Sequence, residues 1–417
     1  MSETIPAVNT GDTRTLTATR MAHGGEAIAR DADGRVVFIR GAYPGDTVTA
    51  EVTEVKKRFA RAHVHSVEQA GDYRGQQRCP AAAQGAGCCD FGDIDPSKEL
   101  ELKTDVLLGQ LSRVVDAETL PTPELIDLTP HRGWRTRVRL GVDEQGRAGT
   151  RKLRSHDLVT DVACTQVAEG LLDGVVGPGA RTFTPGSEII VARDGEGKRH
   201  IVETRKARRG SRVEKFTEVV EGGGTVTEHA DGVAFSFPPT AFWQAHAQAP
   251  EAYTSLVRRW LADLETDAKK PVAWDLYGGV GLFVPALGDA LGDKAQIFSV
   301  DYSKAASGRE QEGLADYDVE RVNKRVDNAV GNLPAADVVL LDPPRTGAGD
   351  KVVELTAQDT PARVIHVGCD PATFTRDAKA WLRAGYAIDR LAVINAFPGT
   401  HHFEVIAELT PEFPQSD

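Results

Sequence analysis

From Pro271 onward the chain repeats one unit, an apolar run, a turn and a helical segment: VAWDLYGGVGLFVPALG, QIFSVDYS, DVVLLDPPRTGAG and RVIHVGCDP. Strands alternating with helices bury both sheet faces only in a parallel arrangement, so the pattern predicts a doubly wound, Rossmann-like α/β domain. Ligands of such sheets bind at the carboxyl ends of the strands. The turn Asp275-Leu-Tyr277-Gly278-Gly279-Val-Gly281 lies at one such end, but Val284 stands where a dinucleotide fingerprint has its last glycine. A carboxylate at Asp275 disfavours a pyrophosphate and suits the sulfonium and amino groups of S-adenosylmethionine, which makes that donor the expected cofactor instead of NAD. Asp301 ends the next strand, placed for ribose hydroxyls. Asp327 is either an adenine contact or a surface carboxylate.

Two further strand ends carry chemistry. Cys369 closes the run VIHVG and precedes Asp370-Pro371, a helix start, so it sits at a strand-to-helix junction. A thiol beside a helix N-terminus is expected to have a lowered pKa and to act as a nucleophile; the other reading is a small residue filling a strand end. Asp342-Pro343-Pro344-Arg345 follows the apolar strand VVLL, where proline ends sheet pairing and shapes a rigid loop into the crevice.

The 417 residues exceed one ordinary core, and three domains are expected: 12–68, 75–245 and 246–410. No apolar run is long enough to span a bilayer and the N-terminus lacks a signal-peptide core, so the expectation is a cytoplasmic monomer with no membrane contact. The net charge of -12 excludes a uniformly basic coat. It leaves room for local basic surfaces, and two occur: Arg132 to Arg154, and KRHIVETRKARRGSRVEK from Lys198 to Lys215. Together they predict a nucleic-acid groove on a central, mainly-β domain.

The N-terminal segments TLTATRMA, VVFIRGA, DTVTAEVTEV and RAHVHSV are short strands separated by Gly24-Gly25, Asp33-Gly34 and Pro44-Gly45, as in a small antiparallel barrel. Residues around GRVVFIRGAYPGD resemble a TRAM domain, an OB-like barrel of RNA-modifying enzymes, and the resemblance implies RNA contact. Lys56, Lys57, Arg58 and Arg61 around Phe59 suit that partner.

Four of the five cysteines, Cys79, Cys88, Cys89 and Cys164, have the short-then-distant spacing of a zinc or iron–sulfur site. Their order resembles the 4Fe-4S ligands of TRAM-bearing uridine-5-methyltransferases, except that Ala86-Gly87-Cys88-Cys89 replaces Cys-Gly-Gly-Cys. Adjacent cysteines diverge in an extended backbone, which leaves the cluster geometry open. Three more segments are similar to that family: Phe242-Trp243-Gln244, the Asp342 loop with the Cys-Asp-Pro-Ala-Thr run, and Phe397-Pro-Gly-Thr-His401-His402-Phe-Glu404. The resemblance spans residues 15 to about 409. It implies methylation of uridine C5 in tRNA or rRNA, with Cys369 as nucleophile, Glu404 as base, Asp342 and Arg345 as further catalytic groups, and Gln244, Tyr277 and the glycines at the donor. His246 departs from the family's Asn. Competing readings are an inactive RNA-folding protein and a DNA cytosine-5 methyltransferase, whose Pro-Cys motif is absent beside Gly368-Cys369-Asp370.

Overall fold

The computed structural model describes residues 8–209, 212–303 and 310–412. Part of the second basic run, including Gly210 and Ser211, lies outside them. The chain opens with β1 (Thr13–Thr17), β2 (Arg20–Met21), β3 (Glu26–Arg30), β4 (Val36–Arg40), β5 (Thr47–Val55) and β6 (Phe59–Gln69). They form one sheet in the order β1-β5-β6-β4-β3-β2. Alternate residues such as Val37, Ile39, Val48 and Ala50 turn inward to a common core, as a period of two dictates. The barrel is not wholly antiparallel as expected: β5 is laid at the far side of β6, so β6 meets β4 in parallel.

Two helices follow, the single turn α1 (Pro80–Ala83) and α2 (Pro96–Leu111), the latter capped by the Asp95 carboxylate, which accepts from the Ser97 amide. The central sheet comprises β8 (Arg137–Val142), β9 (Ala148–Arg151), β10 (Leu158–Val159), β11 (Glu188–Arg193), β12 (Arg199–Arg209) and β13 (Arg212–Glu221). Its order is β10-β9-β8-β11-β12-β13 with antiparallel neighbours, and β12 and β13 form a long ribbon at one edge. A hairpin of β14 (Val226–Ala230) and β15 (Val233–Phe237) leads to α3 (Ala249–Leu261). Residues 238–248 are irregular.

The third sheet has eight strands. β16 (Val272–Leu276), β17 (Gln296–Val300), β18 (Asp318–Val322), β19 (Val338–Leu341) and β20 (Arg363–Gly368) are parallel. They alternate with α4 (Val284–Leu291), α5 (Val326–Ala329), α6 (Asp350–Gln358) and α7 (Pro371–Arg383). The hairpin β21 (Tyr386–Asn395) and β22 (Glu404–Pro411) completes the order β18-β17-β16-β19-β20-β22-β21, with β22 antiparallel to β20. The eighth strand is β7 (Glu124–Asp127), parallel to β21. The 75–245 boundary therefore does not follow the sheets, because β7 extends the C-terminal sheet and α2 packs on α7 and β21. Strand order reverses between β16 and β19, which places a ligand crevice at their carboxyl ends. Among the described residues no helix is long and apolar enough to cross a membrane.

Candidate active site

The parallel strands deliver their chemistry to one edge. Asp275 lies near the end of β16, fully buried, and accepts from the Ser299 hydroxyl at 2.8 Å through Oδ2. Its Oδ1 has no protein partner and is a buried, unsatisfied acceptor. Burial above all pushes its pKa up to about 6. Tyr277 adopts a left-handed backbone (φ 62), which a bulky residue enters only under strain, and such strain is common at ligand sites. A Cβ on Gly278 would lie 2.0 Å from Asp275 Oδ2, so only glycine fits there. Gly279 has open space above it, and its amide donates to the Asp301 carboxylate at 3.1 Å. Gly281 also has a left-handed φ. A cationic donor fits this cradle: an orphaned carboxylate oxygen, a second acid and an open glycine face.

Asp327 lies in α5 on the rim near Tyr277, ion-paired with Arg325 at 3.0 Å. Gln244 is buried, next to Trp243, whose ring packs on Phe235 and Phe237. His246, in place of the family's Asn, is wholly buried, stacked on Trp134 at 5.4 Å, and held neutral by burial, its pKa lowered to about 4.

Register sets two of the expected site residues level with each other. The last β20–β22 pair is Gly368 with Val405, so Cys369, one residue on, comes to the level of Glu404, which β21 holds opposite Ile394. Asp342 ends β19, its amide bonded to the Leu276 carbonyl at 3.1 Å. Thus Cys369, Glu404 and Asp342 converge, and all three act electrostatically on the buried Tyr253. Burial raises Glu404 well above the usual carboxylate range, with Asp342 adding to the rise and Arg345 opposing it. Asp342 is pushed up to about 7, by burial and then by Asp275. Glu404 Oε2 and the Tyr253 hydroxyl both lack a partner.

The Cys369 thiol is pushed up to about 12, by burial first and then by Glu404 and Asp342, with Arg345 acting against them. This reverses the expected lowering. Asp370 does cap α7, accepting from the Ala372 and Thr373 amides, but that capping carboxylate already serves the exposed donors. Two nearby carboxyl groups and burial outweigh the helix terminus.

Arg345 is exposed; its carbonyl accepts from the Thr373 hydroxyl at 3.1 Å and its Nη2 donates to His402 Nε2 at 3.2 Å. His402 is neutral, burial lowering it to about 3, and its ring lies tilted against His401, with centroids 3.9 Å apart. Sequence reasoning missed what holds this loop. Asp90 takes both the amide and Nδ1 of His401. Glu99 Oε1 takes the Gly399 amide at 2.8 Å, and Lys103 Nζ reaches Glu99, Asn395 Oδ1 and the Phe397 carbonyl. Glu99 and Lys103 stand four apart on a helix with apolar Leu100, Leu102 and Val106, and a Glu–Lys pair so placed was the available signal. Tyr253, deep in the α3 core, gave no signal beyond its apolar neighbours.

Cys79, Cys88, Cys89 and Cys164 converge, all four sulfurs within 4.8 Å of one another. The adjacent pair does not diverge as expected, because Cys88 lies in a turn and not in an extended strand. The sulfur separations of 3.8, 3.7 and 3.4 Å for Cys79–Cys88, Cys79–Cys164 and Cys89–Cys164 do not fit a 4Fe-4S cluster. Such a cluster puts each thiolate on a different iron and needs a wider cage.

Fold and site together define an S-adenosylmethionine-dependent methyltransferase carrying a TRAM barrel. An RNA methyltransferase of Corynebacterium efficiens is 53% identical over 412 residues, covering 98% of this chain and 97% of the relative. The chain belongs to the RNA (uracil-5-)-methyltransferase family. Residues 7–65 match the family model of the TRAM domain, and 311–410 that of tRNA (uracil-5-)-methyltransferase. The 23S rRNA (uracil(1939)-C(5))-methyltransferase of Shewanella halifaxensis is 27% identical, with 94% of each chain covered. The crystal structure of Pyrococcus abyssi tRNA (uracil-54, C5)-methyltransferase with S-adenosyl-L-homocysteine superposes with a TM-score of 0.67. It is 17% identical and covers 95% of this chain and 99% of its own.

Proposed function

We propose that the protein methylates C5 of a uridine in tRNA or rRNA through a transient bond between Cys369 and C6 of the base. The observation that carries this reading is the register that sets Cys369 level with Glu404 at the strand ends where Asp342 also lies. Uracil C5 is a weak nucleophile, and addition of a thiolate at C6 turns the ring into an enolate with an electron-rich C5. When bound at the Asp275–Gly281 turn, S-adenosylmethionine supplies an electrophilic methyl group.

Each protein group has a step. Cys369 must lose its proton within an acidic, buried setting, and Arg345 is the nearby cation that favours the thiolate. Arg345 also stabilises negative charge on a pyrimidine oxygen as the enolate forms. Asp342 positions the base or the donor. Once C5 is methylated, Glu404 removes the remaining C5 proton; the electrons reform the C5–C6 double bond and expel Cys369. A base stacked in a helix cannot offer both faces, so the target nucleotide is flipped into the site. The barrel and the central ribbon supply RNA contacts: Arg61 lies over Phe38 and Phe59, and Arg205 over the exposed Phe216. Cytoplasmic location and a monomeric state complete the reading.

The test is methyl transfer from labelled donor to unmodified tRNA, rRNA and DNA, followed by nucleoside analysis. Labelled 5-methyluridine in one RNA class supports the reading. Label in cytosine, or in no substrate, rules it out.

A further inference from the structure

The four thiols outside the active site have distances that specify their ligand. Two thiolates sharing one tetrahedral ion at about 2.3 Å stand about 3.8 Å apart. The three separations at the Cys79 site are 3.8, 3.7 and 3.4 Å, and no pair exceeds 4.8 Å. That is the cage of one ion. The ligands come from separate segments held together by backbone bonds: the Gly87 amide donates to the Arg151 carbonyl at 3.0 Å, and Leu153 to Gly85 at 3.1 Å. The Ala82 amide donates to Cys79 Sγ at 3.4 Å, a bond that supports a thiolate. Four thiolates on a divalent ion leave a charge of about -2. The Arg135 guanidinium, laid over Trp134 at 4.6 Å, interacts electrostatically with Cys164, Cys89 and Cys88 and offsets that charge.

The ligand segments continue straight into the active-site loop. Asp90, next to Cys89, grips His401; the Phe91 amide donates to the Gly399 carbonyl at 3.1 Å. Gln166, two residues past Cys164, donates to the Pro398 carbonyl at 3.1 Å. Residues 397–403 lead directly into Glu404.

We propose that Cys79, Cys88, Cys89 and Cys164 bind one tetrahedral divalent ion of the zinc class in place of a four-iron cluster, and that this ion fixes the loop leading into Glu404. Binding replaces four S–H bonds with four metal–sulfur bonds and releases the protons to solvent, with no change of oxidation state. The ion takes no part in methyl transfer; its role is positional.

Metal and acid-labile sulfide analysis of the full chain, purified without oxygen, tests the first half independently of any activity. About one zinc per chain is expected, without sulfide, and exchange with Co²⁺ is expected to give the intense visible bands of a tetrahedral thiolate site. Four irons with four sulfides per chain, or no metal, would overturn it. Hydrogen exchange tests the second half. Removing the ion with a chelator is expected to speed exchange in 397–403 by at least about tenfold while β16 and β19 keep their protection. Unchanged exchange in that loop after the metal has left contradicts the positional role, as does equal loosening of the whole chain.

Discussion

At the scale of single residues the site gathers carboxyl groups whose pKa values burial raises. Asp275 and Asp342 are raised to about 6 and about 7, and Glu404 is raised as well, so between about pH 4 and pH 7 the folded protein holds more protons than the unfolded chain. Stability from these groups is therefore full below about pH 4 and lost as pH rises through 6 and 7. The shift at Asp275 alone corresponds to roughly 3 kcal/mol. Melting temperatures of the donor-free protein should fall between pH 5 and pH 8 by more than those of Asp275→Asn; parallel curves would refute the assignment. Bound sulfonium should protect most at the upper end of that range. Glu404→Gln has a different signature: methylated uridine should accumulate still bound to Cys369, because nothing removes the C5 proton, and turnover should drop by at least about a hundredfold. Rapid product release by that variant would remove Glu404 from the base role. Cys369 and Asp342 stood out as candidates because each sits at a strand end, whereas Glu404 stood out only through the resemblance of the segment from Phe397. The direction of the thiol shift was not legible, since it depends first on burial in the assembled site and then on two carboxyl groups from other strands.

Among elements, α2 braces the active-site loop across nearly 300 residues of sequence. Lys103 and Glu99 are buried, and together they satisfy Asn395, the Phe397 carbonyl and the Gly399 amide. Lys103→Ala should cost about 3–5 kcal/mol, because it strands a buried carboxylate. Lys103→Met, made together with Glu99→Gln, should cost less. Denaturant titration of the three chains measures this, and equal losses would show that the pair is not acting as a unit. The parallel strands of the donor domain could be read from their apolar runs and Gly-rich turns. By contrast β7, with only four residues after Pro121 and Pro123, carries no periodicity, and its pairing with β21 is set by contacts that local sequence does not encode. The same holds for the parallel meeting of β4 and β6.

For the molecule as a whole, the net charge of -12 coexists with basic side chains on the barrel and on the β12–β13 ribbon, Arg61 and Arg205 among them. A groove of about 1090 Å³ separates the barrel from α2, lined in part by Arg20, Arg30, Arg61 and Arg113. If the exposed Arg205 and Lys206 contact phosphates, replacing both by alanine should weaken binding to all RNAs alike. It should also reduce the slope of log affinity against log salt by about 1 to 2. An unchanged slope would move the RNA path away from the ribbon.

The central claim is covalent catalysis by Cys369. RNA carrying 5-fluorouridine blocks the final proton removal, so incubation with the protein and S-adenosylmethionine should trap a protein–RNA adduct whose peptide map places the bond on Cys369. Cys369→Ala should form none. An adduct that persists in Cys369→Ala, or one mapped to any of the other four cysteines, would contradict the account.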